Sequence, residues 1–222
     1  YPYCDSSHLA KLRIFTPTME IPFAGHPIIG AAVALGLKSK KTDFKLRLMN
    51  DSIRCTILDQ SASFIIRRTL THLGSPDPKL IAEVVHLHPN DFELSVHPPQ
   101  ILSIGLPFTF TQIKNQHLLE QARPIYSSFM KGLIRYPQSI DFAQYLYVLD
   151  KDKVHARMFA PLDEIPEDPA TGSHSTSQNL RIHQGQQLGR PSRIDVQATH
   201  TTAKVSGTAL EIMQGHIVCP VD

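Results

Sequence analysis

The stretch Arg13-Ile14-Phe15-Thr16-Pro17-Thr18-Met19-Glu20-Ile21-Pro22 returns as Arg157-Met158-Phe159-Ala160-Pro161-Leu162-Asp163-Glu164-Ile165-Pro166, matching at six of ten positions. Coincidence between two strand-and-turn segments is the plain alternative. Two matched prolines and a glycine turn after each copy argue instead for duplication. The first copy runs on as Phe23-Ala24-Gly25-His26-Pro27, the second as Glu167-Asp168-Pro169-Ala170-Thr171-Gly172-Ser173. A spacing of 144 residues is too long for a solenoid repeat, so each copy is assigned its own domain, residues 1–99 and 100–222. Two similar domains place equivalent loops across a shared cleft, a favoured place for a ligand.

Composition is compatible with this and narrows the function. The chain has 222 residues, and 22 Lys and Arg against 20 Asp and Glu give a formal charge of +2, too balanced for electrostatic binding of nucleic acid. Hydrophobic residues at 41% can supply a core. The longest apolar run, Ile28 to Leu37, is interrupted by glycines and falls well short of the roughly 18 residues of a membrane span. Tyr1-Pro2-Tyr3-Cys4-Asp5 is polar and mixed, unlike a secretory leader. Cys4, Cys55 and Cys219 are too few and too scattered for a disulfide framework. The expectation is a cytoplasmic protein with no nucleic-acid or membrane partner.

Local signals predict strand 12–15, a helix over 27–35 begun at Pro27 and stopped by Gly36, and strands 44–49, 53–58 and 63–67. A helix is expected over 76–85, and a polar connector over 86–99. The second half reads as strand 101–110, helices near 115–121 and 125–134, and strands 145–149, 154–159, 180–183, 193–198, 203–206 and 210–213. Lys38, Lys40 and Lys41 read as a solvated helix end.

Each glycine turn sits between a strand and a helix start, where free N–H groups and the helix dipole favour an anion. Gly25 and Gly172 admit a ligand close to the backbone, and Ser173 can cap a helix or bind an oxyanion. Two such sites face to face would hold a carboxylate and stabilise the charge left when a neighbouring carbon loses a proton. His26 and Asp168 are the titratable groups nearest that charge and suit acid–base work. From the residues alone, His26 as a helix cap and Asp168 as a turn former ahead of Pro169 weigh equally. His86, His88 and His97 show no compact third-ligand pattern, so they read as solvated rather than metal-binding.

The paired motifs Glu20-Ile21-Pro22-Phe23-Ala24-Gly25-His26-Pro27 and Glu167-Asp168-Pro169-Ala170-Thr171-Gly172-Ser173 resemble the phenazine-biosynthesis PhzF-like isomerases. Arg157-Met158-Phe159-Ala160-Pro161, Gly105-Leu106-Pro107-Phe108, Gln184-Gly185 and Gly189-Arg190-Pro191-Ser192 extend the resemblance over nearly the whole chain. It implies the diaminopimelate-epimerase-like fold: α+β, two pseudo-symmetric domains, each a curled, mostly antiparallel, barrel-like sheet around a central helix. It further implies cofactor-independent isomerisation by proton transfer on a small carboxylate-bearing substrate, no metal, and a homodimer. His26 and Asp168 are the implied catalytic residues, with Gly25, Gly172 and Ser173 binding substrate. The related cysteine-pair racemases place a thiol in each turn, and neither turn here contains one.

The sequence departs from the family in two places. The resemblance implies a principal acid–base glutamate on a strand before the first motif, a position that would precede Tyr1. After Ser173, only His174 to Asn179 separate the turn from the next strand, too few for the central helix that follows Gly25 in the first copy. The expectation is an intact protein heavier than 24.8 kDa, with leading strands and a second central helix. The alternative is a non-catalytic protein that binds a small anion in the cleft without the general base.

Overall fold

A computed structural model describes residues 7–67, 69–171, 179–199 and 202–215. Gly172 and Ser173 therefore lie outside the described residues, as do Cys4, Cys219 and residues 174–178.

The elements follow the sequence in order. β1 (Ala10–Lys11), β2 (Ile14–Phe15) and β3 (Glu20–Ile21) lead into helix α1 (Gly25–Ser39). Then come β4 (Asp43–Arg47), β5 (Ser52–Leu58), β6 (Ser61–Ile66), β7 (Thr71–Gly74) and α2 (Pro78–Val85). The second half contains β8 (Gln100–Ser103), β9 (Pro107–Gln112), α3 (Gln116–Gln121), α4 (Tyr126–Arg135), β10 (Gln144–Asp150) and β11 (Lys153–Ala160). It closes with β12 (Ile165–Asp168), β13 (Asn179–Gln184), β14 (Ser192–Ala198) and β15 (Ala203–Thr208). Strict alternation of buried and exposed residues in β4 and β5 shows why they are strands: period two sends every second side chain to the core.

Thirteen described strands form one mixed sheet in the order β1-β4-β5-β6-β15-β14-β13-β11-β10-β9-β8-β7, with β12 added on β11. Most neighbours are antiparallel; β1–β4, β9–β10 and β11–β13 are parallel. β2 and β3 form a separate hairpin. The architecture is α+β and mostly antiparallel. The sheet is continuous past residue 99. β7 pairs with β8, and the late strand β15 returns to pair with β6 over Ala203↔Ile66 to Thr208↔Ser61.

Two apolar clusters fill the interior. Ile28, Ile29, Ala32 and Val33 of α1 pack with Phe44, Leu46, Phe64 and Val205 in the first cluster, which continues into Phe108, Tyr145, Met158 and Ile182. The second joins Ile81 and Val85 of α2 to Phe92, Phe129, Phe142 and Phe159.

Several local expectations change. Gly36 does not stop α1: the helix runs to Ser39, and Lys40 at φ 56° forms the left-handed cap. Gly36 is instead a packing residue, since a Cβ there would lie 2.8 Å from Ile57 Cγ1. The single strand expected over 101–110 is a hairpin of β8 and β9, because Gly105 at φ 155° turns the chain. Residues 209–215 form no strand. Asp77 caps α2, its Oδ1 accepting the Lys79 N–H at 2.9 Å.

Candidate active site

The hairpin of β2 and β3 is braced by Arg13, whose Nε and Nη2 donate to the two carboxylate oxygens of Glu20 at 2.9 and 2.7 Å. The chain then passes Phe23 and Ala24 and enters α1 at Gly25, with Ala24 as the extended cap and no side-chain capping bond. His26 is thus the second helical residue and not the cap. Gly25 and His26 supply the first N–H groups of the helix, while Pro27 has none to offer.

The second half repeats this brace in a different sequence register. Arg157 Nε and Nη2 donate to Glu167 at 2.8 and 2.7 Å. The residue equivalent to Glu20 is therefore Glu167, not Glu164 as the ten-residue match implies. Glu20 follows Arg13 by 7 positions and Glu167 follows Arg157 by 10. The difference is taken up by the 3₁₀ turn Pro161–Asp163. Matched prolines drew the sequence alignment to the wrong glutamate; the pairing of charge with charge corrects it.

One residue beyond Glu167, Asp168 is buried and faces the cavity beside Met158, its partner across the ladder. Thr171 Oγ1 donates to Asp168 Oδ2 at 2.7 Å, and the Ala170 N–H reaches Oδ1 at 3.4 Å. Gln184 fixes the backbone around it, donating to the Asp168 carbonyl at 2.7 Å and to Thr171 Oγ1 at 3.0 Å, and accepting the Thr171 N–H at 3.2 Å. Ser192 Oγ donates to the Pro169 carbonyl at 2.6 Å. Burial pushes the Asp168 carboxyl above the usual carboxylate range, against the opposing pull of His26, Thr171, Ala170 and Arg190. A carboxyl raised in this way is a stronger proton acceptor than an ordinary aspartate when it is ionised.

The cavity between these two turns measures about 200 Å³, smaller than pockets that hold drug-sized ligands. Its walls are largely apolar, including Phe23, Leu106, Phe108 and Met158. The titratable side chains among its described lining are His26, Asp168, Asp141 and Asp163, so the predicted pair does share one cavity with Gly25.

Asp141 and Asp163 escaped sequence reasoning. Asp163, adjacent to the misaligned Glu164, accepts Thr16 Oγ1 at 3.0 Å and a bond from the Thr18 hydroxyl, tying the two repeats together. Asp141 sits between Ile140 at φ 66° and Phe142 at φ 55°, a backbone that only tertiary packing imposes. Its Oδ1 accepts the Ala143 N–H at 3.1 Å, and burial pushes its pKa up to about 6. No motif marked either residue. The Leu106-Pro107-Phe108 run was the one sequence signal that led to this wall.

The histidines of the connector serve local structure. His88 Nδ1 accepts the Asn90 N–H, and His97 Nε2 lies 2.6 Å from the Tyr147 hydroxyl. Among the described residues no cluster of His, Cys, Asp or Glu could hold a metal ion, and no helix is long and apolar enough to cross a membrane.

Comparison with known proteins agrees with the geometry. A family model described as phenazine biosynthesis-like protein matches residues 2–215. An uncharacterized isomerase of Mesorhizobium japonicum is 26% identical over 97% of this chain and 82% of its own length. The trans-2,3-dihydro-3-hydroxyanthranilate isomerase of Pseudomonas aeruginosa is 27% identical over 89% of this chain and 73% of its own. Among solved structures, a predicted epimerase from Pseudomonas aeruginosa superposes with a TM-score of 0.74 at 28% identity, covering 95% of this chain and 82% of that one. A PhzF-family protein of Bacillus anthracis gives 0.71 at 19% identity over 89% of this chain and 77% of that one, and shares the fold.

Proposed function

The chain belongs to the phenazine biosynthesis-like family, and on that premise we propose that it is an isomerase that moves a proton on a small carboxylate-bearing molecule without a cofactor. The observation that carries this reading is the placement of Asp168, buried and raised in pKa, in the same small cavity as His26 and the start of α1. The N–H groups of Gly25 and His26 and the positive end of α1 would hold the substrate carboxylate or the charge that develops beside it. His26 and Asp168 would exchange the proton, the apolar walls keeping bulk water from competing. Gly172 and Ser173 are proposed as the matching anion site of the second repeat. A principal acid–base glutamate belongs to the same proposal and rests on the family resemblance.

The organisation into two repeat units meeting at the cavity is supported by the paired Arg–Glu braces. A homodimer and a cytoplasmic location complete the proposal, resting on the resemblance and on the scattered cysteines. Three relatives carry a name that specifies their substrate, so trans-2,3-dihydro-3-hydroxyanthranilate is the first compound to test.

The experiment is isotope exchange by the full-length polypeptide in deuterated water, read by mass spectrometry of the recovered compound. Wild type should incorporate solvent deuterium, and Asp168→Asn should lower the rate by about a hundredfold or more. Undiminished exchange in Asp168→Asn would remove Asp168 from the mechanism. Tight binding of the compound with no exchange in wild type would favour a binding protein instead.

A further inference from the structure

Arg157 has more to do than its counterpart Arg13. Both grip a glutamate with a two-bond fork, but the first pair is open to solvent while the side chains of Arg157 and Glu167 are only 4% and 9% exposed. The third nitrogen of Arg157, Nη1, donates to the carbonyls of Leu119, Glu120 and Ala122 at 3.1, 3.2 and 2.8 Å, at the end of α3. The guanidinium also lies 4.8 Å from the Phe159 ring centre. A planar group held by a carboxylate, three carbonyls and a ring face has no freedom to rotate.

What this rigid group holds is a strand whose backbone pairing is weak. β12 meets β11 only at Met158↔Asp168 and Ala160↔Ile165, with a register shift between them. Glu167 and Asp168 are neighbours on β12 and so point to opposite faces. A slip of one residue would exchange them, turning Glu167 into the cavity and Asp168 away from it. The irregular ladder is a poor guard against that slip. The Arg157 fork recognises a carboxylate at one position along β12 and is bound at its other end to α3.

We propose that Arg157 is a positioning residue for Asp168: by gripping Glu167 it sets the register of β12 that delivers the Asp168 carboxyl to the cavity. Lysine would not replace it, having one point charge where the guanidinium uses two edges of a plane. This inference rests on the reading of Asp168 as an acid–base group, since only then does its placement matter to function.

The test reads Asp168 directly, by the NMR titration of its side-chain carboxyl carbon, alongside the thermal midpoint. Asp168 is faced by His26 of α1, Tyr145 of β10, Arg190 and the Thr171 hydroxyl, with Asp141 and Asp163 lining the same cavity. Because burial is what raises its pKa, a displaced Asp168 gains water and its midpoint falls. Arg157→Lys should lower that midpoint by about one pH unit. The double variant Arg157→Met/Glu167→Leu replaces the buried pair by apolar bulk and should recover the thermal midpoint without recovering the titration. If Arg157→Lys loses thermal stability while Asp168 titrates as in wild type, Arg157 is merely structural and the proposal fails. Recovery of the wild-type titration by the apolar double variant would also overturn it. Should neither fold, Glu167→Gln, which keeps one acceptor for the fork, is read against the same two outcomes. None of these titrations needs a substrate. Failure of wild type to exchange deuterium would therefore defeat the isomerase reading and leave the register result intact.

Discussion

Gly185→Ala is expected to be among the most damaging single-methyl additions near the site. Gly185 sits at φ 77° and ψ 8°, in the left-handed region, where an alanine costs about 1–2 kcal/mol. The stiffer unfolded chain returns about 0.4–1 kcal/mol of that. A Cβ at this position would also overlap the Arg190 carbonyl oxygen and lie 2.9 Å from the Pro169 carbonyl oxygen and 3.1 Å from Pro169 Cα. All three are backbone atoms and cannot rotate aside, so overpacking adds about 1–3 kcal/mol. The sum runs from about 1 to about 5 kcal/mol and is centred near 3. Gly189→Ala is the matched control: φ there is 65°, but nothing lies within 4 Å of its Cβ, so only the backbone term of about 1 kcal/mol remains. Urea unfolding measures both. With a slope of about 2 kcal/mol per molar, Gly185→Ala should unfold about 1 M earlier than Gly189→Ala. Equal midpoints would show that the contacts of Gly185 with Pro169 and Arg190 do not hold the loop, and the reasoning about how Pro169, and Asp168 before it, are fixed would fall.

Other outcomes follow from the same structure. Asp141 has its pKa raised from 3.8 to about 6 by burial, so the native state binds its proton more tightly than the unfolded chain. Its ionisation therefore lowers stability as pH rises from about 4 to about 6, by up to about 3 kcal/mol. Asp141→Asn keeps the acceptor for the Ala143 N–H and should gain about 1–3 kcal/mol at pH 7.5 but almost nothing at pH 4, as denaturant curves at the two pH values would report. A loss at pH 7.5 would contradict this. Gly132 lies inside α4, where propensity alone favours alanine by about 1 kcal/mol. The new methyl would instead run into the buried Phe142 ring, itself stacked on Tyr136 at 5.8 Å, an overpacking cost of about 1–3 kcal/mol that outweighs the propensity gain, so Gly132→Ala should destabilise by a net of up to about 2 kcal/mol. A higher thermal midpoint for that variant would refute the packing argument.

Much of this protein was legible because its signals are local. Strands β4 and β5 show in their alternation, and the two glycine turns show in the motifs that carry Gly25, His26 and Asp168. The family resemblance followed from those same short motifs. Gly36 was misread because a glycine near a helix end resembles a stop; its actual reason is Ile57, on another element. Glu164 was preferred to Glu167 because flanking Ile and Pro matched Glu20-Ile21-Pro22, while the contact that selects Glu167 belongs to Arg157 across the β11–β12 pair.

The sequence by itself determined the alternation that makes β4 and β5 strands, the two glycine turns and which residues stand beside them, since each depends on neighbours a few positions away. The tertiary structure alone decided that β15 returns to β6, that Asp163 reaches Thr16 and Thr18, and that Asp141 joins His26 and Asp168 in one cavity. The two hydrogen bonds of Asp163 join residues 147 and 145 positions apart, and the cavity brings together His26 and Asp168 from opposite halves of the chain. They are set by which surfaces can be buried together, and no short stretch of chain contains that information.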